Sequence, residues 1–155
     1  ELMKELQAET PELVVVDLAR NYGQTAALAA GIDEARGEII VTMDGDLQHE
    51  PEEIPRFLLK LDEGFDVVSG WREVRTDNYV FRKFPSFVAN LIARRLSGIQ
   101  FQDFGSTFKA YRSEILKKVE LFGDLHRFIP ILAYRVGARL VEITIHVAPR
   151  QAGAS

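Results

Sequence analysis

The sequence contains no cysteine, which excludes disulfide bonds, zinc sites with thiolate ligands and thiol nucleophiles. It also lacks any apolar run of the roughly 18–20 residues that a membrane-spanning helix needs. Internal repeats and low-complexity tracts are absent, and no linker-like stretch divides the 155 residues. With 46% hydrophobic and 27% charged residues, the chain has the composition of one folded domain rather than of a disordered tail.

Positive charge is scarce in the first part of the chain and concentrated in its middle. Residues 1–70 carry 5 basic and 16 acidic side chains, whereas residues 71–118 carry 10 basic and 4 acidic ones. An acidic region suits a site that gathers a divalent cation, and a basic region suits phosphate, nucleic acid or an acidic membrane surface. Both blocks are equally compatible with ordinary solvated faces, so charge alone selects no function.

The order of apolar runs and helical stretches predicts an α/β domain with a largely parallel sheet. Three short runs rich in Val and Ile predict buried strands at Leu13–Leu18, Glu38–Met43 and Asp66–Ser69. Two more strands are predicted over Phe108–Arg112 and Arg139–Val147. Helices are predicted over six segments, several of which stop at a glycine: Glu1–Glu9, Gln24–Arg36, Pro51–Glu63, Pro85–Ser97, Ser113–Val119 and Leu125–Val136.

The motif that carries chemistry directly follows the second predicted strand, where Asp44 and Asp46 flank Gly45. Open α/β sheets bind ligands at the carboxyl ends of their parallel strands, and these acids are predicted to lie there. Carboxylate oxygens favour Mg²⁺ or Mn²⁺, and such a metal takes further ligands from water and substrate phosphates. Gly45 is expected to let the backbone turn so that both acids face one cation. The pattern therefore indicates a site for a nucleotide diphosphate.

Other motifs that contain these residue types fail on spacing. An EF-hand loop that starts at Asp44 would need glycine at His49 and glutamate at Pro55. A Walker-B acid would need a G-x-x-x-x-G-K-[ST] loop, which the sequence lacks. His49-Glu50 is not followed by the second histidine of a zinc protease. An acid pair that merely caps the helix near Pro51 is left open.

Several ordered blocks, spread over nearly the whole chain, extend this motif. They are Leu18–Gln24, Met43–His49 with Glu52 and Pro55, Val68–Arg72, Arg82–Ser86, Asp103–Ser106, Phe108–Arg112 and His126–Pro130, followed by His146, Arg150, Gly153 and Ser155. Together they resemble a family 2 glycosyltransferase, and within that family the polyprenyl-phosphate glycosyltransferases of the dolichol-phosphate mannosyltransferase type. The resemblance implies the Rossmann-like GT-A fold, with a mostly parallel sheet flanked by helices. It also implies that residues 1–155 are a single partial catalytic domain that lacks the first two strands of that fold.

The activity implied by the resemblance is transfer of a sugar from a nucleotide-diphosphate sugar, either GDP-mannose or a UDP-sugar. The implied acceptor is a polyprenyl phosphate such as dolichyl or undecaprenyl phosphate, and the anomeric configuration would be inverted. Mg²⁺ or Mn²⁺ is the implied cofactor, the cytoplasmic face of a membrane is the implied location, and nucleic acid is not an implied partner. A homo-oligomer is left open.

The resemblance also assigns roles to single residues. The implied metal ligands are Asp44, Asp46 and Gln48, and the implied donor-binding residues are Gly23, Asp44, Gly45, Asp46 and Arg150. The implied acceptor-phosphate ligands are Arg72, Arg82 and Ser86, and the implied catalytic residues are Asp46 and Asp103. Arginine is a bidentate phosphate ligand, which is consistent with the acceptor assignment.

Asp103 has three interpretations. An acceptor phosphate is largely dianionic at neutral pH and needs no strong base, so Asp103 is first expected to orient the sugar or the acceptor. A catalytic base, which the resemblance suggests, is the second expectation. Capping of the Gly105-Ser106 turn is the structural alternative.

Three other functions are left open by the sequence. The first is an inactive or truncated nucleotide-sugar-binding domain. The second is a family 2 enzyme with a saccharide acceptor, although the Gln-x-x-Arg-Trp segment expected of processive members is absent. The third is a nucleic-acid binder, suggested by the basic block but supported by no recognisable motif.

Overall fold

The computed structural model describes residues 2–72, 95, 98–99, 101–121 and 123–148. Within them, a four-stranded sheet of order β1-β3-β2-β4 is flanked by helices. The strands are β1 (Ile39–Thr42), β2 (Val67–Arg72), β3 (Lys109–Arg112) and β4 (Leu140–Ile145). The helices are α1 (Leu2–Glu9), α2 (Gln24–Glu34), α3 (Ile54–Asp62), α4 (Ser113–Leu116) and α5 (Ile129–Arg135), and short 3₁₀ helices over Pro51–Glu53 and Leu125–Phe128 lead into α3 and α5.

The sheet is mixed because β3 runs antiparallel to both of its neighbours, β1 and β2. The fourth strand, β4, pairs with β2 in parallel, so β1, β2 and β4 all point in one direction. The predicted α/β class with flanking helices is confirmed. The expectation of a mostly parallel sheet is corrected in its pairing, since among the described residues only one of the three strand pairs is parallel.

Two apolar clusters cover the two faces of the sheet, as the alternation of side chains along a strand requires. On one face, α3 places Phe57 and Leu61 against Phe108 and Ile145. On the other face, α2, α4 and α5 cover a cluster that includes Ile40, Val67 and Tyr111 from the strands and Ile32, Leu116, Ile129 and Ala133 from the helices. Burial of both faces accounts for the apolar strand sequences.

Glycines end two of the helices by the same hydrogen-bond pattern. After α3, Gly64 has a φ of 100°, and the N–H of Phe65 donates to the carbonyl of Lys60. After α5, Gly137 has a φ of 93°, and the N–H of Ala138 donates to the carbonyl of Ala133. A residue with positive φ at this position satisfies the last carbonyls of a helix, which is the Schellman arrangement.

One predicted strand is wrong. Residues 13–18 form no strand, and Val14 and Val16 are exposed. The reason is that none of the described strands pairs with this segment; the N–H of Val15 donates instead to Gln7 Oε1 at 3.3 Å. The other four predicted strands are observed with shifted ends, and the helix predicted over Pro85–Ser97 lies outside the described residues except for Arg95.

Close packing at Gly70 gives a stability prediction. A Cβ atom there would lie 2.8 Å from Ile145 Cδ1 and 2.9 Å from the Phe108 carbonyl oxygen, and neither is exposed. We expect Gly70→Ala to lower the free energy of unfolding by about 1–3 kcal/mol, the usual cost of overpacking. Gly31→Ala is the matched control, because its Cβ would meet nothing within 4 Å inside α2.

In that control, alanine should raise the free energy of unfolding by about 0.5–1 kcal/mol through its helix propensity. Urea unfolding followed by circular dichroism measures both effects. Equal stability of the two variants would contradict the packing argument.

Candidate active site

The antiparallel course of β3 brings two distant segments to one edge of the sheet. Thr42, the last residue of β1, pairs with Lys109, the first residue of β3. The chain after β1, which carries Asp44, therefore lies beside the chain before β3, residues 102–107, which we call the Asp103 loop. This is the edge at which β1, β2 and β4 all end, where open α/β sheets bind ligands.

Asp44 is held at both oxygens of its half-buried carboxylate. Gln24 Nε2, on the first residue of α2, donates to Oδ1 at 3.2 Å. Thr107 Oγ1, at the end of the Asp103 loop, donates to Oδ2 at 2.7 Å. Each carboxylate oxygen retains further acceptor capacity beyond these bonds. Asp44 is thus oriented in the way that metal-binding carboxylates are commonly oriented by their hydrogen-bond partners.

The turn after Asp44 has one residue in the left-handed conformation, and that residue is not Gly45. Gly45 does not have a positive φ, and a Cβ there would meet nothing within 4 Å. The left-handed residue is Leu47, with a φ of 61°, and Asp46 Oδ1 accepts a hydrogen bond from the N–H of Gln48 at 3.2 Å. Leu47 and the Asp46 side chain therefore contribute to the turn, and the backbone also bends at Gly45 without a left-handed conformation.

The alternative that the acid pair caps the helix near Pro51 is wrong. Glu50 occupies the N-cap position before Pro51, and no side chain caps that helix. The carboxylate of Asp44 bonds to side chains of other segments instead.

Gln48 joins the turn to the chain that leaves β4. Its side-chain Nε2 donates to the backbone carbonyl of Ala148 at 3.3 Å. The backbone carbonyl of Gln48 accepts from the N–H of Ala148 at 2.9 Å. His49 and Val147 form an antiparallel bridge beside these bonds. This orientation of the amide leaves Oε1 as the oxygen available to a cation.

The residues present suit a hard divalent cation. The carboxylates of Asp44 and Asp46 and the amide oxygen of Gln48 are oxygen donors of the kind that Mg²⁺ and Mn²⁺ accept. Among the described residues, no group of three or more His, Cys, Asp or Glu side chains is close enough to hold a metal. A cation here would therefore complete its coordination with water or substrate oxygens.

A row of four polar side chains crosses the sheet below the Asp103 loop. Strand register places Thr42 opposite Lys109, Lys109 opposite Ser69, and Ser69 opposite Glu142. We call these four residues the polar row. Thr42 Oγ1 donates to the carbonyl of Thr107 at 2.6 Å.

Lys109 and Glu142 complete the support of the loop. Lys109, which is 2% exposed, donates to the carbonyls of Ser106 and, at 3.4 Å, of Phe104. Glu142 accepts hydrogen bonds from the N–H groups of Gln102 at 2.7 Å and Asp103 at 2.9 Å. The polar row therefore binds the backbone of the loop at five of its six residues.

Asp103 is half-buried within this loop. Its Oδ1 accepts a hydrogen bond from the N–H of Gly105 at 2.9 Å, which is the turn-capping contact of the structural alternative. The buried rings of Phe101 and Phe104, with centroids 5.6 Å apart, anchor the loop on either side of Asp103. The capping contact fixes the carboxylate and is compatible with an orienting role toward a substrate.

His126 lies at a small cavity of about 40 Å³ that Asp44, Thr107 and Lys109 also line. Its Nδ1 lies 2.7 Å from Thr25 Oγ1. Burial and the neighbouring Arg127 guanidinium lower the pKa of His126 from its ordinary value, so the neutral ring is favoured. A neutral imidazole adds no positive charge beside the carboxylate of Asp44.

The other assigned residues divide into two groups. Gly23 precedes α2 with a φ of 88°, a conformation open mainly to glycine, and its N–H donates to Asn21 Oδ1. Arg72 ends β2 at the same edge as Asp44, but the structure describes only its backbone. The remaining assigned residues, Arg82, Ser86 and Arg150, lie outside the described residues.

Sequence reasoning missed four residues that bind the site segments: Gln24, Thr107, Lys109 and Glu142. The nearest signal in the sequence was a charged residue inside each of two predicted strands. Lys109 begins β3, and Glu142 lies within β4, where polar and apolar residues alternate. Charged residues in such positions are rarely left without partners, so each one predicts a nearby polar group.

Comparisons with known proteins give a consistent result. Residues 1–120 match the family model described as Glycosyl transferase family 2. The chain is 44% identical over 146 residues to dodecaprenyl-phosphate galacturonate synthase of Rhizobium johnstonii, covering 92% of this chain and 43% of that protein.

Solved structures of glucosyl-3-phosphoglycerate synthase from Mycobacterium tuberculosis share the fold. The complex with Mn²⁺ and UDP-glucose has a TM-score of 0.64 at 20% identity, covering 95% of this chain and 51% of that one. The complex with Mg²⁺ and UDP has a TM-score of 0.64 at 19% identity, covering 95% and 52%. The chain thus spans about half the length of the proteins it matches, or less.

The environment of His126 predicts its titration. We expect the ring to titrate below 6.5 in the folded protein, because burial and Arg127 both disfavour the imidazolium. The contribution of His126 to stability is then present above pH 6.5 and is lost as the pH falls through the folded pKa. NMR titration of the ring protons measures this pKa directly.

Arg127→Gln removes the nearby cation and should raise the pKa of His126 toward 6.5. Arg135→Gln, at the far end of α5, is the control and should leave the pKa unchanged. An unshifted His126 in the Arg127→Gln variant would contradict the electrostatic explanation.

Proposed function

Because the chain belongs to glycosyl transferase family 2, we propose that it transfers a sugar from a nucleotide-diphosphate sugar to a polyprenyl phosphate. The observation that carries the proposal is the placement of Asp44, which is bonded at both oxygens beside the Asp103 loop at the carboxyl edge of the sheet. Similarity to a dodecaprenyl-phosphate galacturonate synthase supports the lipid-phosphate acceptor. The donor to be tested is either a UDP-sugar or GDP-mannose.

On the donor side, Asp44, Asp46 and Gln48 would hold Mg²⁺ or Mn²⁺. Such a cation supplies neutralisation of the charge that grows on a departing diphosphate. The chain itself orients the carboxylate of Asp44 through Gln24 and Thr107, so that the ligand does not have to be ordered when substrate binds. Arg150 and the backbone at Gly23 and Gly45 are proposed as further donor contacts.

On the acceptor side, a phosphate-monoester oxygen would attack the anomeric carbon in a single displacement that inverts its configuration. The monoester has a second pKa near 6, so the attacking oxygen is already deprotonated at neutral pH. Asp103 would therefore orient the sugar or the acceptor, and Arg72, Arg82 and Ser86 would bind the acceptor phosphate. The reaction would take place at the cytoplasmic face of a membrane, although no helix among the described residues is long and apolar enough to cross one.

Loss of the Asp44 carboxylate tests the donor site. The assay incubates the complete protein with Mn²⁺, undecaprenyl phosphate and a panel of UDP- and GDP-sugars. We expect a polyprenyl-phosphate sugar as the product. Asp44→Asn should lower kcat/KM by at least about 100-fold, which corresponds to about 2.7 kcal/mol of transition-state stabilisation. It should also weaken Mn²⁺ binding measured by calorimetry.

Asp62→Asn, on the exposed end of α3, is the matched control and should retain full activity. Transfer to an oligosaccharide but not to the lipid phosphate would overturn the proposed acceptor. Binding of nucleotide sugars without any transfer would overturn the proposed enzyme function.

A neutral replacement of Asp103 separates its two proposed roles. If Asp103 orients a substrate, Asp103→Asn should lower kcat by about 10–100-fold and leave the pH dependence of kcat unchanged in shape. Asp33→Asn, exposed on α2, is the control. Near-total loss of turnover at every pH, with donor and acceptor binding intact, would favour a catalytic base instead.

A further inference from the structure

The Asp103 loop is bound by charged side chains of opposite sign from two strands. Lys109 on β3 donates to carbonyl groups of the loop, at Phe104 and Ser106. Glu142 on β4 accepts from N–H groups of the loop, at Gln102 and Asp103. The ammonium group thus binds backbone acceptors and the carboxylate binds backbone donors, so each charge is matched to the polarity of the groups it meets.

Of these two charged residues, Glu142 bonds to Asp103 itself. Its Oε1 accepts from the N–H of Asp103 at 2.9 Å, and its Oε2 accepts from the N–H of Gln102 at 2.7 Å. Two consecutive N–H groups require two acceptors, which a carboxylate provides. A glutamine of the same shape provides one acceptor and one NH₂ donor, so one of the two N–H groups would lose its partner.

The position of a backbone N–H constrains the side chain on the same residue. With its N–H bound to Glu142, the Cα atom of Asp103 is held relative to β4, and Oδ1 is held by the N–H of Gly105. Phe101 and Phe104 are 4% and 2% exposed and fix the loop by apolar packing on both sides. These contacts hold both the backbone and the carboxylate of Asp103.

From this geometry we propose that Glu142 is a positioning residue for Asp103, acting through the backbone of the loop rather than on a substrate. The inference rests on the proposed function, in which Asp103 orients the sugar or the acceptor. Both carboxylate oxygens of Glu142 bind backbone N–H groups, and this accounts for a carboxylate on the half-buried strand β4. Reactions that join two bound substrates depend steeply on such placement, since a misplacement of about 1 Å can lower the rate 100-fold.

The contact itself is tested by Glu142→Gln in the complete protein. Amide hydrogen exchange should accelerate by at least about 10-fold at whichever of Gln102 and Asp103 loses its acceptor, the effect of losing roughly 1.4 kcal/mol of local protection. The amides of Val141 and Ile143 in β4 should not change, which separates loss of the contact from loss of the strand. Glu114→Gln, exposed on α4, is the control substitution.

The positioning role is tested by a double-mutant cycle on kcat with Asp103→Asn. We expect Glu142→Gln alone to lower kcat by about 10–100-fold with a smaller change in KM for either substrate. Combined with Asp103→Asn, it should lower kcat no further than Asp103→Asn does alone. Glu142→Asp, which keeps both acceptors on a shorter side chain, should recover part of the loss.

A purely structural role predicts different results. In that case Glu142→Gln would lower the fraction of active protein independently of Asp103. The effects of Glu142→Gln and Asp103→Asn on kcat would then multiply. Multiplied effects, or an unchanged kcat in Glu142→Gln, would overturn the inference and leave the proposed function intact. Absence of transfer by the unaltered complete protein would overturn the proposed function, and the inference with it.

Discussion

The direction of β3 is the constraint on which the site depends. Because β3 lies between β1 and β2 and runs against both, the chain entering β3 meets the chain leaving β1. A parallel third strand would have placed its preceding loop at the opposite edge of the sheet, far from Asp44. The antiparallel strand thus brings Asp44 and Asp103, which lie 59 residues apart in sequence, to one edge of the sheet.

Stability and site geometry share the same polar contacts. A buried ammonium group such as that of Lys109 is costly unless it is bonded, and so is a half-buried carboxylate such as that of Glu142. Backbone groups of the Asp103 loop bond to both of these side chains. The hydrogen bonds that satisfy these charges therefore also fix the loop. A movement of the loop would break the bonds of the two charged side chains.

The sequence predicted the local elements well because the signals are local. The apolar run before Asp44, the glycines that end α3 and α5, and the acid pair itself all depend on neighbours within a few residues. Sheet order could not be predicted, because the position of β3 is decided by pairing with residues that lie 40 or more positions away in sequence. The strand predicted at residues 13–18 failed for a related reason, since apolar character favours a strand only where a partner strand is present.

The residues that support the site could not be predicted from the sequence for a different reason. In β4, polar and apolar residues alternate, and that pattern predicted a strand with one solvated face. Glu142 therefore looked like a surface residue, whereas it binds N–H groups 39 and 40 residues earlier in the chain. The identity of a side chain gives its bonding capacity, but the partner is set by the tertiary fold.

The Asp103 loop also connects the two halves of the proposed reaction. Thr107 at one end bonds to the carboxylate of Asp44, and Asp103 at the other end is fixed by Glu142. Between them, Lys109 holds two carbonyl groups, so the separation of the two acids cannot change unless several hydrogen bonds break together. A displacement between two bound substrates gains rate from a fixed separation of this kind, because the orientation is set before the substrates react. The polar row supplies hydrogen bonds that hold the loop between the two acids.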